Sequence, residues 1–591
     1  MSVSQGPDHL EKLVGPAKVS PVATPRASFN LSLRQAAAWL TCLITSLILP
    51  SPSFDFCLSW SFAQLRRGAA RIASVLDDEG VQPGSTMLLF LPSCAEWSLM
   101  MWVSALRCYT LVTLDPAIAQ LGQERLLDDY IEKLKPSVVV VGTQASAVAV
   151  DKARSNLKSY GPFVGITLNV LEKPRQSWTS LLGISVREFT NELEAAPAAV
   201  DSLDRVAMII FTSGTSSGKP KGSVRTVRDL LRPLTGNDLP PPLRPPMTLI
   251  NTNVAQSMAP CLLYATWHSG NAGVLVGGNF NAATTIASME TSRPITAALH
   301  PHMVDSVCTH SDFSTHKVSS IRFLLIIGSV TMEETLRLAQ EMFPRAKINA
   351  SYGMTEAAGM FGWKKGIPAI NHIPSYKGIV SCGFALPGVK IRIVDDMGGV
   401  VSQGSPGVLH ICGDMVASGY IDSNGAESFY KDGDDTWYIT GDCAVLDEQR
   451  RIYILGRYEN MIRRDSTIIA PATVENAIKK HYPHTTICFT DLNIKWKRVL
   501  TFFYPVVFGI TAPGSSDESI YAILPDSAID RDRVKNLVIK ELGDGHRLAG
   551  VIELPQLDLV DWPLTMAGKL SLFDLRGRLT KYLAEETGSS T

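Results

Sequence analysis

The sequence has little net charge, no closely paired cysteines and no long hydrophobic run. Its 55 Lys and Arg residues nearly balance its 56 Asp and Glu residues, and a formal net charge of −1 argues against nucleic acid as a partner. The ten cysteines include no C-x-x-C pair, which argues against structural zinc and a disulfide framework. The apolar stretch 40–49 is shorter than the ~20 residues of a membrane span. These absences predict a soluble, cytoplasmic protein.

The length of the chain and its patterns predict an α/β protein of two or more domains. At 591 residues the chain is too long for one small core. From about residue 60 to 350, apolar runs such as 86–91 and 137–141 have the character of buried parallel strands, with helical patterns between them. From about residue 378 to 456 strands dominate, and residues 389–394 alternate as a half-buried antiparallel strand should.

The loop that follows the apolar run 206–211 has the composition of a phosphate-binding site. Between Thr212 and Gly222 it contains five hydroxyl-bearing residues, three glycines and two lysines. Glycines let the backbone direct several N–H groups to one side, and hydroxyls and ammonium groups add donors and charge. On composition alone, a mobile surface loop is an equally good interpretation. The candidate phosphate-binding residues are Thr212, Ser213, Gly214, Thr215, Ser216, Ser217, Gly218, Lys219 and Lys221.

Two other known motifs match this loop only in part. A P-loop needs four residues between its glycines and a hydroxyl after its lysine, but Gly214 and Gly218 enclose three residues and Pro220 follows Lys219. The same glycines match the G-x-S-x-G elbow of serine hydrolases, which must lead directly into a helix. Pro220 disfavours helical geometry at Lys219, and Gly222 adds flexibility. A serine hydrolase is therefore a minor alternative.

Together with four later segments, the loop resembles the signature of the adenylate-forming superfamily, which includes acyl-CoA synthetases, the adenylation domains of nonribosomal peptide synthetases, and luciferases. The loop carries one residue more than the usual T-S-G-T-T-G-x-P-K-G. The later segments occur in the family's order and at about its distances, and the resemblance covers roughly residues 60–580. They are Tyr352-Gly353-Met354-Thr355-Glu356, Trp437-Tyr438-Ile439-Thr440-Gly441-Asp442, Gly456-Arg457-Tyr458-Glu459-Asn460 and Pro563-Leu564-Thr565-Met566-Ala567-Gly568-Lys569.

The resemblance implies roles for these residues in holding ATP. Tyr352 would pack on adenine, Thr355 would contact the α-phosphate, and Glu356 would help to hold Mg²⁺. An aromatic face, a hydroxyl and a hard carboxylate oxygen suit these partners. Asp442 would accept hydrogen bonds from both ribose hydroxyls, and Arg457 would also reach the nucleotide.

The resemblance also implies residues that act in catalysis, in domain movement and in binding the carboxylic acid. Lys569 would bridge the substrate carboxylate and the nucleotide, where a cation stabilises developing negative charge. Glu459 would be the hinge, and Ser351 would lie beside the nucleotide. Each segment alone also has an ordinary structural explanation, such as a turn with a helix N-cap, a hairpin turn or a surface lysine. The implied acyl-pocket residues are His268, His300, Gly328, Ser329, Gly353 and the segment 354–360.

The resemblance also implies a fold and a reaction. We expect a large N-terminal domain of helix-flanked sheets plus a distorted β-barrel at 60–457, and a small mobile α+β C-terminal domain at 458–585, with 1–59 unassigned. The expected activity is the ATP- and Mg²⁺-dependent ligation of a carboxylic acid to coenzyme A through acyl-AMP. No carrier-protein segment follows residue 580, so we expect a stand-alone enzyme. Loading of a separate carrier protein is the alternative to coenzyme A.

Some features depart from the family pattern. Asn460, Ser466 and Thr473 replace Asp, Gly and Glu of the segment that begins at Gly456. They leave open a third alternative, an impaired relative that only binds nucleotide or acyl groups. Residues 492–505 interrupt what resembles a single strand and carry four aromatic residues without an evident partner. We interpret this segment as an artefact of gene prediction or a destabilising loop, and residues 40–56 share the first interpretation.

Overall fold

The structure is a computed structural model, and the descriptions below concern the residues that it describes. These are 46–50, 57–120, 122–157, 161–168, 177–185, 201–212, 220–231, 246–277, 280–357, 359–363, 366–421, 426–465, 467–481, 505–511, 517–525, 530–563 and 570–588.

The first large sheet has eight strands in the order β21-β9-β8-β4-β3-β5-β6-β7. The five pairings from β8 to β7 are parallel, and β9 and β21 close the other end antiparallel. The strands are β3 (Thr86–Phe90), β4 (Thr110–Thr113), β5 (Val138–Val141), β6 (Val164–Thr167), β7 (Trp178–Ser180), β8 (Val206–Phe211), β9 (Gly222–Thr226) and β21 (Gly419–Tyr420).

The second large sheet has seven strands in the order β14-β13-β12-β10-β11-β1-β2. All pairings are parallel except that of β1 with β2. The strands are β1 (Ser46–Pro50), β2 (Cys57–Ser61), β10 (Met247–Ile250), β11 (Ala272–Leu275), β12 (Thr296–Leu299), β13 (Phe323–Ile326) and β14 (Lys347–Ala350). Because β1 pairs with both β2 and β11, residues 46–50 have a place in the sheet. The gene-prediction origin proposed for 40–56 stays a prediction, and residues 40–45 and 51–56 lie outside the described residues.

Helices form a shared layer between the two sheets and an outer layer on each. One apolar cluster joins α1, α2 and α7 to both sheets, whereas separate clusters join α3 and α4 to the first sheet and α8, α9 and α10 to the second. Burial on both faces explains the unbroken apolar run Val138–Val141. The helices are α1 (Phe62–Asp78), α2 (Ala95–Arg107), α3 (Glu124–Leu134), α4 (Gln144–Asn156), α5 (Leu181–Ser185), α6 (Val227–Leu231), α7 (Met258–His268), α8 (Ala282–Ser292), α9 (Pro301–Thr309) and α10 (Glu333–Met342).

The predicted strand-rich region forms a third sheet, which is wholly antiparallel. Strand β19 at 390–394 confirms the antiparallel strand predicted at 389–394, and β23 and β24 form a hairpin. The strands are β19 (Lys390–Val394), β20 (Gly407–Cys412), β22 (Phe429–Asp432), β23 (Asp435–Leu446) and β24 (Ile452–Arg457). Two short ladders precede it, β15 (Phe361–Gly362) with β18 (Phe384–Ala385), and β16 (Ser375–Tyr376) with β17 (Ile379–Val380).

After a short helical turn at Tyr458–Asn460, the chain forms a small α+β unit. It contains the hairpin of β25 (Ile462–Arg464) and β26 (Thr467–Ile469), and a three-stranded sheet of β27 (Val506–Thr511), β28 (Glu518–Leu524) and β29 (Leu548–Glu553). Three helices accompany it, α11 (Pro471–His481), α12 (Arg531–Leu542) and α13 (Leu572–Gly588). The predicted α/β class with helix-flanked sheets and a small α+β C-terminal unit is confirmed. The proposed domain boundaries stay a prediction.

Candidate active site

The candidate phosphate loop leaves the carboxyl end of β8, and backbone bonds close its base. The Thr212 N–H donates to the Lys221 carbonyl at 2.9 Å, and the Lys221 N–H donates to Thr212 Oγ1 at 3.1 Å. A Cβ at Gly222 would lie 2.8 Å from the Ile421 side chain and 3.0 Å from the Phe211 ring, so only glycine fits where the loop enters β9. The candidate residues Ser213, Gly214, Thr215, Ser216, Ser217, Gly218 and Lys219 lie outside the described residues.

The segment that follows β14 brings three predicted nucleotide-binding residues together. The Tyr352 hydroxyl donates to Asp442 Oδ2 at 2.5 Å, and Arg457 Nε lies 3.4 Å from Asp442 Oδ1. Burial and the Asp442 charge raise the pKa of Tyr352, so its hydroxyl remains a donor. The Asp442 charge likewise raises the pKa of Arg457. Asp442 and Arg457, which lie 90 and 105 positions after Tyr352 in the sequence, thus form one polar group with it.

Glu356 accepts a hydrogen bond from one tyrosine, which in turn contacts a second, and the sequence analysis did not identify a role for either. The Tyr420 hydroxyl donates to Glu356 Oε1 at 2.7 Å and lies 3.0 Å from the Tyr438 hydroxyl. Burial, followed by the Glu356 charge, raises the pKa of both tyrosines, which keeps them protonated. The Lys221 ammonium lies 5.5 Å above the Tyr420 ring, so this ring joins the end of the phosphate loop to Glu356. Tyr438 lies in the segment Trp437–Asp442 that carried the resemblance, and this was the only sequence signal for it.

Glu356 suits a magnesium ion that is shared with a substrate. It is buried, with 6 % of its surface exposed, and it is the acidic residue of the Tyr352–Glu356 segment. Within the ranges that the structure describes, no three His, Cys, Asp or Glu side chains form a metal-binding group. Magnesium is commonly bound through one or two carboxylates together with substrate phosphates and water, and this arrangement fits a single carboxylate.

A buried histidine, His300, lies at the carboxyl edge of the second sheet. His300 follows β12 and is 6 % exposed, and its Nε2 lies 3.3 Å from Gln256 Oε1. Gly328 follows β13 with φ +95°, and a Cβ there would lie 2.1 Å from His300 Nδ1. Glycine is therefore required both by the backbone and by the ring. The sequence analysis did not identify Gln256 as a partner of His300, because Gln256 belongs to none of the segments that carried the resemblance.

His268 lies at the opposite edge of that sheet. It is the last residue of α7 and comes four positions before β11, which runs parallel to β10. The chain enters a parallel strand at its amino edge, whereas His300, Gly328 and Ser351 all follow strand ends. The predicted pocket role of His268 is therefore not supported by its position. Ser329, Gly353 and Thr355 are near the carboxyl edge, and their assigned roles stay predictions.

Lys569 lies outside the described residues, but described residues on either side of it are joined by a backbone hydrogen bond. The Ser571 N–H donates to the Pro563 carbonyl at 2.8 Å. The candidate hinge Glu459 is exposed in the turn between β24 and β25, where the Tyr458 hydroxyl donates to Asp396 at 2.9 Å. The catalytic role of Lys569 and the hinge role of Glu459 stay predictions.

The fold and these polar groups place the chain in the class of α/β proteins that bind a ligand beyond the carboxyl ends of their strands. More particularly, the chain belongs to the family of AMP-binding enzymes, whose sequence model matches residues 52–421, more than half of its length.

Similar proteins cover nearly the whole chain. An acyl–CoA ligase of Pestalotiopsis microspora is 26% identical over 541 residues, which are 90% of this chain and 89% of the relative. The 4-coumarate–CoA ligase 1 of Arabidopsis thaliana is 22% identical, covering 89% and 88%. Among solved structures, the anthranilate CoA ligase AuaEII in complex with anthranoyl-AMP superposes with a TM-score of 0.76 at 18% identity, covering 94% of this chain and 98% of that one. No helix in the described parts of the chain is long and apolar enough to cross a membrane.

Proposed function

We propose that the protein is an AMP-forming ligase that joins a carboxylic acid to coenzyme A at the expense of ATP. The observation that carries the proposal is the convergence of the Tyr352–Asp442–Arg457 group and the Glu356–Tyr420 pair beside the base of the phosphate loop. Acyl-CoA ligase relatives that match about nine-tenths of the chain support the reaction class.

In the first step a carboxylate oxygen of the acid attacks the α-phosphorus of ATP. The bond to the β-phosphate breaks, and acyl-AMP and pyrophosphate form. Asp442 and Arg457 would hold the ribose, and Tyr352 would cover adenine. The loop from Thr212 to Lys221 would hold the β- and γ-phosphates. Magnesium held by Glu356 would neutralise phosphate charge, and Lys569 would stabilise the charge that develops during transfer.

In the second step the thiol of coenzyme A attacks the acyl carbon. The bond from that carbon to the AMP oxygen breaks, AMP leaves and the thiol proton is released. The small C-terminal domain would rotate between the steps and present Lys569 first and the segment 460–471 second. Aryl acids are the first substrates to test, because the names of two similar proteins are those of 4-coumarate and anthranilate ligases.

The test measures pyrophosphate release and thioester formation separately over a broad panel of acids. Acid-dependent pyrophosphate release followed by CoA-dependent AMP release is the expected result. Hydroxylamine trapping of the acyl group without a CoA thioester would favour a carrier protein as acceptor or a defective second step. If no acid supports pyrophosphate release although ATP binds, the protein is the impaired relative, and this proposal fails.

A further inference from the structure

Arg225 lies in β9, three residues beyond the end of the phosphate loop, and its guanidinium is buried. It is 1 % exposed and is among the largest fully buried side chains. Its Nη1 donates to the Thr355 carbonyl at 3.2 Å, and its Nη2 donates to the carbonyls of Met415 at 3.3 Å and Asp229 at 3.4 Å. One side chain therefore joins three separate parts of the chain.

Two of these parts, those of Thr355 and Met415, lie beside candidate-site residues. Thr355 and Glu356 are the residues assigned to the α-phosphate and to magnesium. Met415 belongs to the loop that leads to Tyr420, the tyrosine that holds Glu356. In that loop the Ala417 N–H donates to the Glu356 carbonyl at 2.6 Å. β9 itself begins where the phosphate loop ends. The guanidinium thus fixes the backbone behind both the metal-binding carboxylate and its supporting tyrosine.

The charge of Arg225 has no carboxylate partner among the described residues. Its bonds there go to neutral carbonyls, and its Nε–H has no hydrogen-bond partner. The nearby Asp229 carboxylate instead accepts from the Thr226 N–H at 2.8 Å and from Ser418 Oγ at 3.5 Å. Burying a cation that has no carboxylate within ion-pair distance costs free energy. A polyanion that binds in front of the Thr355 backbone would offset that cost.

We propose that Arg225 is a positioning residue for adenylation, which holds Thr355 and Glu356 in register with β9 and supplies positive charge behind the site of the nucleotide phosphates. The inference rests on the proposed function. It predicts that loss of Arg225 changes the binding of ATP with magnesium as well as turnover. A residue with a merely structural role would change only stability and the fraction of active enzyme.

The test compares R225M, R225K and the matched control R205M in the full chain. Arg205 also donates to two backbone carbonyls, of Tyr109 and Val206, but precedes β8 and pairs with Asp201. We expect R225M to weaken the calorimetric affinity for Mg·ATP at least tenfold and to raise the magnesium concentration for half-maximal pyrophosphate release several-fold. R225K keeps the charge but cannot span three carbonyls, and should lie between wild type and R225M. R205M should match wild type in both measurements.

Folded R225M with an ATP affinity within twofold of wild type and an unchanged magnesium requirement would overturn the inference. If R225M does not fold, R225K provides the test. A wild-type ATP affinity together with a wild-type magnesium requirement in R225K would also overturn the inference. Failure of the proposed function is a different result. In that case wild type forms no acyl-AMP with any acid, while the affinities of wild type and variants for ATP can still be compared.

Discussion

At the residue scale, Asp442 already accepts a hydrogen bond from Tyr352 and faces Arg457. We predict that Asp442→Ala weakens ATP binding by about tenfold or more, because a hydrogen bond to a charged acceptor contributes about 1.5–3 kcal/mol. Calorimetric titration with ATP measures the effect. The control is Asp447→Ala, which removes a carboxylate that pairs with Arg451 at 2.6 Å in the β23–β24 turn. Equal ATP affinities of Asp442→Ala and wild type would contradict the ribose assignment.

Lys569 is the residue on which the assignment of the first step depends most. We predict that Lys569→Ala loses most pyrophosphate release while still binding ATP, because the lysine acts on charge that develops in the transition state. The control is Lys581→Ala on α13, an exposed lysine that lies 3.7 Å from Glu585. Pyrophosphate release within about twofold of wild type would show that Lys569 has no catalytic role, since such a change is well under ~1.4 kcal/mol.

At the scale of the element, Glu475 makes the stability of α11 depend on pH. Burial raises the pKa of Glu475 to about 7, although its carboxylate accepts from the Val507 N–H at 3.1 Å. The folded protein therefore keeps a proton that the unfolded chain releases near pH 4.5. The stability from this proton is fully present below the unfolded pKa and is lost as the pH rises through about 7.

Glu475→Gln keeps an acceptor for Val507 but cannot ionise. We predict that the free energy of unfolding of this variant, relative to that of wild type, rises by about 2 kcal/mol from pH 5 to pH 8. Hydrogen exchange of the α11 and β27 amides at both pH values measures it. Glu541→Gln on α12 is the control that should show no such dependence between pH 5 and pH 8, because hydrogen bonds from His481 and Lys480 lower the pKa of Glu541 and its carboxyl is ionised in both the folded and the unfolded state over that range. A stability difference between Glu475→Gln and wild type that does not vary with pH would exclude the linkage.

The second prediction for an element concerns residues 492–505, of which the structure describes only Pro505. α11 ends at His481, and β27 begins at Val506, directly after this segment. We predict that a chain without 492–505 folds and turns over at least as well as the full chain, because the segment contributes no residue to β27 or its pairing with β28. Sequencing the transcript and comparing turnover of both chains tests this. A transcript that encodes the segment, together with loss of activity on deletion, would show that it is a real structural element.

At the scale of the whole molecule, an ion pair joins the two parts of the protein. Lys479 Nζ on α11 lies 2.5 Å from Asp305 Oδ2 on α9, and both side chains are largely buried, with 20 % and 12 % exposed. Nearby, the Thr473 hydroxyl donates to the Lys377 carbonyl at 3.4 Å. Thr473, one of the departures from the family pattern, therefore contributes to the contact between the N-terminal sheets and the C-terminal unit.

A double-mutant cycle of Asp305→Ala and Lys479→Ala should give a coupling free energy on the order of 1–2 kcal/mol in the opening of α11, measured by hydrogen exchange. The control cycle uses Lys480 and Glu541, a more exposed pair within the C-terminal unit at 3.2 Å, for which a much smaller coupling is expected because solvent screens exposed ion pairs. Equal couplings for the two pairs would mean that α11 and α9 do not dock in solution as they do in this structure.

The sequence by itself determined the features that depend on local pattern. The apolar runs at β3, β5 and β8 indicated buried parallel strands, because a strand covered on both faces needs no alternation of polar and apolar residues. Strand β19 could be predicted from the alternation of apolar and polar residues that a half-buried antiparallel strand requires. Resemblance of short segments identified the family, and with it Tyr352, Glu356, Asp442 and Arg457.

Only the tertiary structure decided which side chains meet. Tyr420 holds Glu356 across 64 positions, and Arg225 reaches Thr355 across 130, so no local pattern could reveal either contact. It also separated His268 from His300, since the two lie at opposite edges of one sheet although each adjoins a strand in sequence. Strand direction and register decide that separation, and both arise from long-range pairing of the backbone rather than from neighbouring residues.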